Sequence, residues 1–358
     1  MRRSGWGGAL AIGLLASGLV PAPGLGQEEA PIEIGGLLRT GLRLEPEGSG
    51  RNDGFAIFDA RVRLAGEIGI VFEYFAQAEH DPDDEVFRLL DAEARLPIFP
   101  ELNLSFGMFR PAFGLEALTD KGALTFVERA QASEAIAPGR QVGLQFGGEA
   151  ADQRLTYGAG VFNGNGRRLE NDGNDFLWAG RAQFNTVGPI PFYEDLVVQV
   201  GASIAYSEDT AAELGRGLDA FVPEAGRPPL ETAFAGERLL WGLDLHASYR
   251  GWSLTGEYLR GDFDVDDPGT DAAPVELDAY GGYLEAGYRA WGAIEGVARY
   301  DGFRPVGGRG RDFLLLGINV YPGYYPKFAI QYALGLDDAP PSPFLADGQF
   351  LFVAQVDF

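Results

Sequence analysis

From residue 32 onward, apolar and polar residues alternate with a period of two, in segments of about ten residues. Such alternation sends successive side chains to opposite faces of a strand. It predicts sixteen strands, near 32–44, 55–65, 68–79, 87–96, 102–110, 140–148, 154–163, 175–186, 195–207, 238–249, 252–260, 278–288, 293–301, 312–321, 327–335 and 349–358. The links between them alternate in length. Short turns such as Pro97–Pro100, Arg250-Gly251 and Tyr321–Pro326 take turns with long links at 45–54, 111–139, 163–174, 208–237, 261–277, 302–311 and 336–348, which are rich in Gly, Asp and Pro. Ten residues is the length of a tilted membrane strand, and short turns at one end with long loops at the other is the pattern of a membrane barrel. Soluble sandwiches also alternate, but they seldom place bare Phe, Leu and Tyr on the outward face of every strand. The fold expected is therefore all-β: a transmembrane antiparallel β-barrel of sixteen strands, with short periplasmic turns and long extracellular loops.

Composition narrows the setting. Arg2 and Arg3 precede an apolar stretch from Ala9 to Val20, followed by small residues ending at Gly24-Leu25-Gly26. This reads as a secretory signal peptide over 1–26, leaving the barrel in 27–358. No later segment reaches the roughly 20 consecutive apolar residues of a membrane helix. There is no Cys, so no disulfide framework stabilises an exported chain of this kind. A closed barrel supplies stability by pairing backbone groups between strands. The formal charge of -24 excludes nucleic acid as a natural partner. Trp178, Trp241, Tyr249, Trp252, Tyr280, Tyr288, Tyr300 and Tyr332 fall near strand ends or on lipid-facing positions, where membrane interfaces favour them; general strand propensity would place them similarly.

The C-terminal segment Gln349–Phe358, QFLFVAQVDF, sets Phe350, Phe352, Ala354, Val356 and Phe358 on one face and Gln349, Gln355 and Asp357 on the other. A strand that is apolar outside and polar inside, ending on an aromatic residue, resembles the C-terminal assembly signal of bacterial outer-membrane barrels. Phe358 is then the assembly residue, and the compartment is the outer membrane of a Gram-negative bacterium. Its partners there would be lipid, lipopolysaccharide and the barrel assembly machinery.

Sixteen strands leave an aqueous lumen, whereas about eight are just filled by side chains. The inward positions suit water. Arg39, Arg43, Arg61, Arg63, Arg95, Arg181 and Lys327 fall on polar faces, with Asp59, Glu73, Glu79, Asp91, Glu93, Asp244, Glu257, Glu285, Glu295 and Arg299. So many charges cannot occupy a dry core. Arg39, Arg43, Arg61 and Arg63 form a basic stripe on strands one and two, while Glu257, Glu285 and Glu295 mark the wall of strands eleven to thirteen, expected roughly opposite. The 29-residue link 111–139 is expected to fold into the lumen as a constriction, since long structured loops are usually functional. It carries Phe113, Glu116, Asp120, Lys121, Glu128 and Arg129, with Arg110 and Arg140 at its ends. The bland reading is that many of these charges pair and fill space.

The flanks of that link carry a family resemblance. GMFRPAFGLE (107–116), FVER (126–129), PGRQVGLQF (138–146) and LTYGAGVFNGNG (155–166) resemble the phosphate-selective porin O and P family, and DARVRL (59–64) resembles its Arg-bearing second strand. The resemblance implies a trimeric sixteen-stranded porin; phosphate-specific members line the pore with Arg and carry Lys at the constriction. This chain matches that chemistry in part, because Lys121 stands alone. Arg suits phosphate and carboxylate through its planar fork of donors. The function expected is passive diffusion of small hydrophilic solutes, anions such as phosphate first. A general or cation-leaning pore is the alternative.

Other chemistries find less support. Asp262, Asp264 and Asp266 have the start of a calcium-loop spacing, but Asp267 stands where Gly is needed and Ala273 where Glu is needed. EHDPDDE (79–85) reads as solvated loop charge, although weak divalent binding or bridging to lipopolysaccharide phosphates would suit it. No metal site or cofactor is implied. A barrel enzyme would need His near the outer rim; His80 beside Asp81 is the better candidate, and His246 shares a face with Asp244, but no nucleophile is suggested by spacing. An adhesin or anchor would need a large added domain, and no loop exceeds about 30 residues.

Overall fold

The computed structural model describes residues 32–358 except 47–51, 70–71, 82–85, 100, 169, 172, 174, 187–194, 213, 216, 219–233, 266–274, 324–325 and 337–341. The segment 1–26 and, of the acidic stretches 79–85 and 261–271, residues 82–85 and 266–271 lie outside the described residues. The strands are β1 (Glu33–Leu44), β2 (Gly54–Ile68), β3 (Phe72–Asp81), β4 (Val86–Phe99), β5 (Leu102–Phe109), β6 (Gln141–Ala150), β7 (Leu155–Phe162), β8 (Leu177–Asn185), β9 (Val197–Ala212), β10 (Phe234–Tyr249), β11 (Trp252–Val265), β12 (Val275–Ala290), β13 (Ile294–Arg304), β14 (Arg311–Val320), β15 (Pro326–Gly335) and β16 (Phe350–Asp357).

Among the described residues these sixteen strands close into one barrel, each antiparallel to its sequence neighbours, with β1 pairing both β2 and β16. Closure removes the open edges that lipid would not tolerate. Every expected segment contains one strand. The largest differences are at the outer ends of β9 to β12, which run three to five residues past the expected limits. There the outward residues become Glu208, Glu237, Asp264 and Glu276, so the hydrophobic alternation ends with the membrane while backbone pairing continues.

The two faces separate by polarity. On β10, Leu239, Leu243 and Leu245 are exposed outward, whereas Arg238, Asp244 and His246 are buried inward. Trp178, Trp252, Tyr280, Tyr288, Tyr300 and Tyr332 all stand on the exposed outer face. The turns are tight where sequence allows. In Arg250-Gly251 both residues have positive φ, 48° and 86°, the pair of left-handed conformations that matches the twist of a two-residue hairpin; Gly251 fits without cost.

Candidate functional site: the barrel lumen

The link between β5 and β6, residues 110–140, runs inside the barrel and contains two short helices, α1 (Leu115–Leu118) and α2 (Gln131–Ile136), joined through a 3-10 turn at Lys121–Ala123. Helices this short are not stable alone. Side chains of the barrel wall take up their free backbone groups. Glu257 on β11 accepts the amides of Leu115 (2.5 Å) and Glu116 (3.3 Å) and the Ser133 hydroxyl (3.0 Å). Asp301 on β13 accepts the amide of Gln131 (3.3 Å). Gln331 accepts the amide of Val127 (2.6 Å), and Ser203 that of Gly114 (3.1 Å). Donors from the wall serve the carbonyls: Lys327 to Leu124 (2.6 Å), Asn319 to Thr125 (3.1 Å), Gln355 to Gly122 (2.7 Å) and Arg39 to Val127. Each such group left unpaired here would cost about 1–3 kcal/mol.

Apolar contacts add to the polar ones. Phe113, Ala132, Ala135 and Ile136 pack with Phe109, Phe162 and Leu177. Phe126 packs with Val297, Phe313 and Leu345, and Val127 with Leu351 and Val353. Gly158 on β7 makes room for this approach: a Cβ there would lie 2.8 Å from the Ala112 methyl.

Within the loop, Glu116 is the hub. Its carboxylate accepts the Ala130 amide (2.7 Å) and Arg299 (2.6 Å), and Arg299 in turn donates to Glu285 (2.7 Å). Burial pushes the Glu116 carboxyl up from its ordinary value despite Arg299. Arg129 is 4 % exposed and donates to the carbonyls of Glu116 (2.9 Å) and Thr119 (2.5 Å) and to Glu134 (3.3 Å). Burial alone would raise Glu134, but Arg129, Lys121 and Arg110 outweigh it and hold the carboxyl below its usual value.

The predicted residues thus divide into two groups. Arg39, Glu257, Glu285 and Glu295 are nearly inaccessible and hold the loop or its supports: Arg39 pairs with Asp59 as well as Val127, and Glu295 accepts Asn319 (3.2 Å) and Tyr321 (2.8 Å). Phe113 is buried in the loop core. Arg181 forms a bidentate pair with Asp244 (2.5 and 2.9 Å). Arg61 bridges Asp59 (3.2 Å) and Glu79 (2.7 Å), and Arg63 pairs with Asp357. Arg95 bonds Glu93 (3.1 Å), with Glu73 at 4.0 Å, and Arg140 grips Asp91 (2.8 and 2.9 Å). Arg43 lies over the Phe58 ring at 4.9 Å. The loop presents Asp120, Lys121, Glu128 and Glu134 to accessible space. Lys121 reaches Asp59 (3.0 Å) and Glu128 (3.8 Å).

Arg110 differs from the rest. Its one hydrogen bond is a long contact to the Thr119 carbonyl (3.5 Å), and among the described residues it has no ion-pair partner. Burial, with Arg129 and Arg140 close by, pushes its guanidinium down from the usual arginine value. His80 meets Phe87 edge-on (5.4 Å), and His246 contacts the Thr255 hydroxyl (2.9 Å).

Glu257, Glu285 and Glu295 do not face the basic stripe across a diameter. Counted from β1 and β2 in the barrel order, β13 is four and five strands away, β12 five and six, and β11 six and seven, where eight would be opposite, so Glu257 comes nearest to facing the stripe and Glu295 stands farthest from doing so. Strand spacing is invisible in the charge pattern alone. Asp301, Gln331 and Asn319 also anchor the loop, and in the sequence only their inward parity marks them.

The family model for phosphate-selective porin O and P matches residues 40–335. No curated protein shows significant sequence similarity to the chain. Among solved structures the chain resembles OmpF of Salmonella typhi in complex with daunomycin (12 % identity, TM-score 0.65, covering 91 % of this chain and 97 % of that one). It also resembles an anion-selective porin from Comamonas acidovorans (12 %, TM-score 0.60, 92 % and 100 %). A third is the trimer form of in-vitro folded OmpT, an outer membrane protein of Vibrio cholerae (13 %, TM-score 0.59, 92 % and 100 %). At these identities the structures speak for the fold, which is that of a Gram-negative outer-membrane barrel. The match over residues 40–335 makes the chain a member of the phosphate-selective porin O and P family.

Proposed function

We propose that this porin passes small hydrophilic solutes by diffusion, that the inner loop is its constriction, and that anions, phosphate among them, are favoured there. The observation that carries the anion preference is Arg110, a guanidinium beside the loop with Arg129 and Arg140 near it; Glu134 and Asp91 lie near enough to act on its charge, but among the described residues no carboxylate is in ion-pair contact with it. A planar fork of unspent donors suits phosphate or carboxylate. The family's name and the anion-selective structural relative support the same reading. The mechanism is passive: the gap between loop and wall excludes large solutes, and charge biases small ones. No catalytic step, cofactor or metal enters it, and His80, packed on Phe87, takes no part.

The test is the reversal potential of the purified protein in a planar bilayer under a KCl gradient, followed by addition of phosphate. Anion selectivity with block by phosphate is expected. Weak or cation selectivity without block would leave the second reading, a general or cation-leaning pore. That reading is favoured by the accessible carboxylates of Asp120, Glu128 and Glu134. In either case the chain would work as a homotrimer, placed in the membrane by the barrel assembly machinery and surrounded outside by lipopolysaccharide.

A further inference from the structure

Every pair of neighbouring strands in the barrel is joined by a turn or a link, except one. β1 and β16 meet at a seam, where residues from opposite ends of the chain pair from Leu37–Asp357 to Leu44–Phe350. Contacts between distant parts of a chain form only once their loop-closure entropy has been met. If this ladder opens, no turn keeps its two strands side by side.

Residues 121–127 of the inner loop lie across the seam from within. Their ties run over five strands that are consecutive in the barrel order, β14, β15, β16, β1 and β2. On one side Asn319 (β14) donates to the Thr125 carbonyl (3.1 Å) and Lys327 (β15) to that of Leu124 (2.6 Å). At the seam Gln355 (β16) donates to the Gly122 carbonyl (2.7 Å) and Arg39 (β1) to that of Val127. On the other side Asp59 (β2) takes Lys121 (3.0 Å) and also holds Arg39. Arg39 and Gln355 stand opposite each other in the seam's register, so one short segment grips both members of a single cross-seam pair. Both side chains are buried, and letting go would leave buried groups without partners.

Packing follows the same line. Val127 shares a cluster with Leu351 and Val353 of β16, Ala329 of β15 and Phe58 of β2. Gly122 has no room for a side chain: a Cβ there would run into the Asp357 carboxylate and lie 3.4 Å from a Leu37 methyl. Leu37 and Asp357 are themselves paired across the seam. Asp357 in turn reaches over β1 to Arg63 on β2. The segment therefore rests on two successive inward pairs of the seam. We infer that residues 121–127 are a clasp: the inner loop holds β16 against β1 and β2 from inside, so that seating of the loop and closure of the barrel are one cooperative event. This is a second task for the loop, beyond permeation, and it holds whatever solute the pore favours.

The test is hydrogen exchange on the full barrel chain folded into lipid vesicles. Phe126 packs on Val297, Phe313 and Ala333, in a cluster that holds no residue of β1 or β16. Phe126→Ala therefore loosens the segment without touching the seam strands. Gly122→Val forces the segment off the seam directly. In both, the amides of 122–127 should exchange tenfold or more faster. The amides of β1 and β16 around Arg39 and Gln355 should speed up by a similar factor. Those of β8 and β9, opposite the seam, should keep wild-type rates. Should Gly122→Val fail to fold, Phe126→Ala carries the test, because it removes atoms and adds none. Thr40 and Ala354 pair across the seam, and the chain has no Cys. Thr40→Cys with Ala354→Cys, oxidised in the folded Phe126→Ala protein, would lock the seam, since paired strand residues lie within disulfide reach. The β1 and β16 amides should then return to near wild-type rates while those of 122–127 stay fast. Faster exchange of 122–127 beside a seam that keeps wild-type protection would overturn the clasp. So would fast exchange in β1 and β16 that persists with the seam locked.

Discussion

Lys121 Nζ lies 3.0 Å from Asp59 Oδ1, joining the inner loop to the second strand of the wall. The contact is partly open, with the lysine side chain 18 % exposed and the aspartate fully buried. Asp59 also holds Arg39 and Arg61, so it keeps its charge balance without the lysine. Lys121→Gln should therefore fold normally, with a melting temperature within a few degrees of wild type. A lone accessible cation is worth about 1 kcal/mol or less to a passing ion. The anion-to-cation permeability ratio should fall about two- to five-fold, read from reversal potentials. An unchanged ratio would show that the lysine acts only as a fastening.

Arg110 should have the larger effect on phosphate. A hydrogen bond to a charged group contributes about 1.5–3 kcal/mol. Arg110→Gln should weaken phosphate block of chloride current by about tenfold or more, with little change in stability, because among the described residues the native guanidinium makes only one long bond, to Thr119. Titrating block with phosphate in both proteins checks this. Equal block constants would remove Arg110 from the anion path.

Glu257 tests what holds the loop. It serves two amides and a hydroxyl at once. Glu257→Leu leaves all three unpaired in a buried place and should free the loop at a cost of about 1–3 kcal/mol for each group that finds no water. Faster proteolytic cleavage between 111 and 139 and a larger, noisier conductance are expected. Glu257→Gln keeps one acceptor oxygen and should restore most of the protection. If both variants behave like wild type, the hydrogen bonds are not what keeps the loop in place.

Much of this organisation was legible in the chain, and its limits have a physical cause. Period-two alternation is imposed by the membrane, so the strands from β1 to β16 and their polar inner faces could be read directly. The stretches of β9 to β12 beyond the membrane could not, because lipid no longer selects their outward residues. Arg39, Glu257 and Glu285 were legible as inward charges. Whether each lines the pore or fastens the loop depends on where residues 110–140 lie, and that contact is set by tertiary packing between positions such as Leu115 and Glu257. Arg110 looks in sequence like any other Arg; that no described carboxylate is in ion-pair contact with it is a property of the fold.

Acidity should act on the loop in two opposed ways. The Glu134 carboxyl sits below the ordinary value of 4.5. Its charge and its pair with Arg129 therefore contribute stability that is fully present above pH 4.5 and is lost as pH falls through the depressed value. Glu116 is raised; its ionisation is disfavoured in the folded protein, so stability falls as pH rises from 4.5 through the raised value. Glu134→Gln should abolish the low-pH loss and increase anion selectivity at pH 7, since one accessible negative charge is gone. Glu116→Gln should flatten the dependence above pH 4.5. Thermal unfolding of each protein from pH 3 to 8 separates the two, and identical profiles would place the titration elsewhere.

Phe358 allows assembly and stability to be tested separately. Its backbone closes the barrel seam, donating to Gly36 O (3.0 Å) and accepting from Gly36 N (2.8 Å). The residue is 61 % exposed, so cutting back its side chain removes little protein contact. Phe358→Ala retains both backbone bonds and should melt within about 2 °C of wild type when folded in vitro, as surface substitutions usually do. If the ring is the signal read by the assembly machinery, the same variant should fall several-fold in the outer membrane of cells, with unfolded chain accumulating in the periplasm. Loss in both assays would assign Phe358 to the folded barrel. Loss in neither would leave the signal in the alternating face of Phe350, Phe352 and Val356, whose side chains point outward in the finished strand.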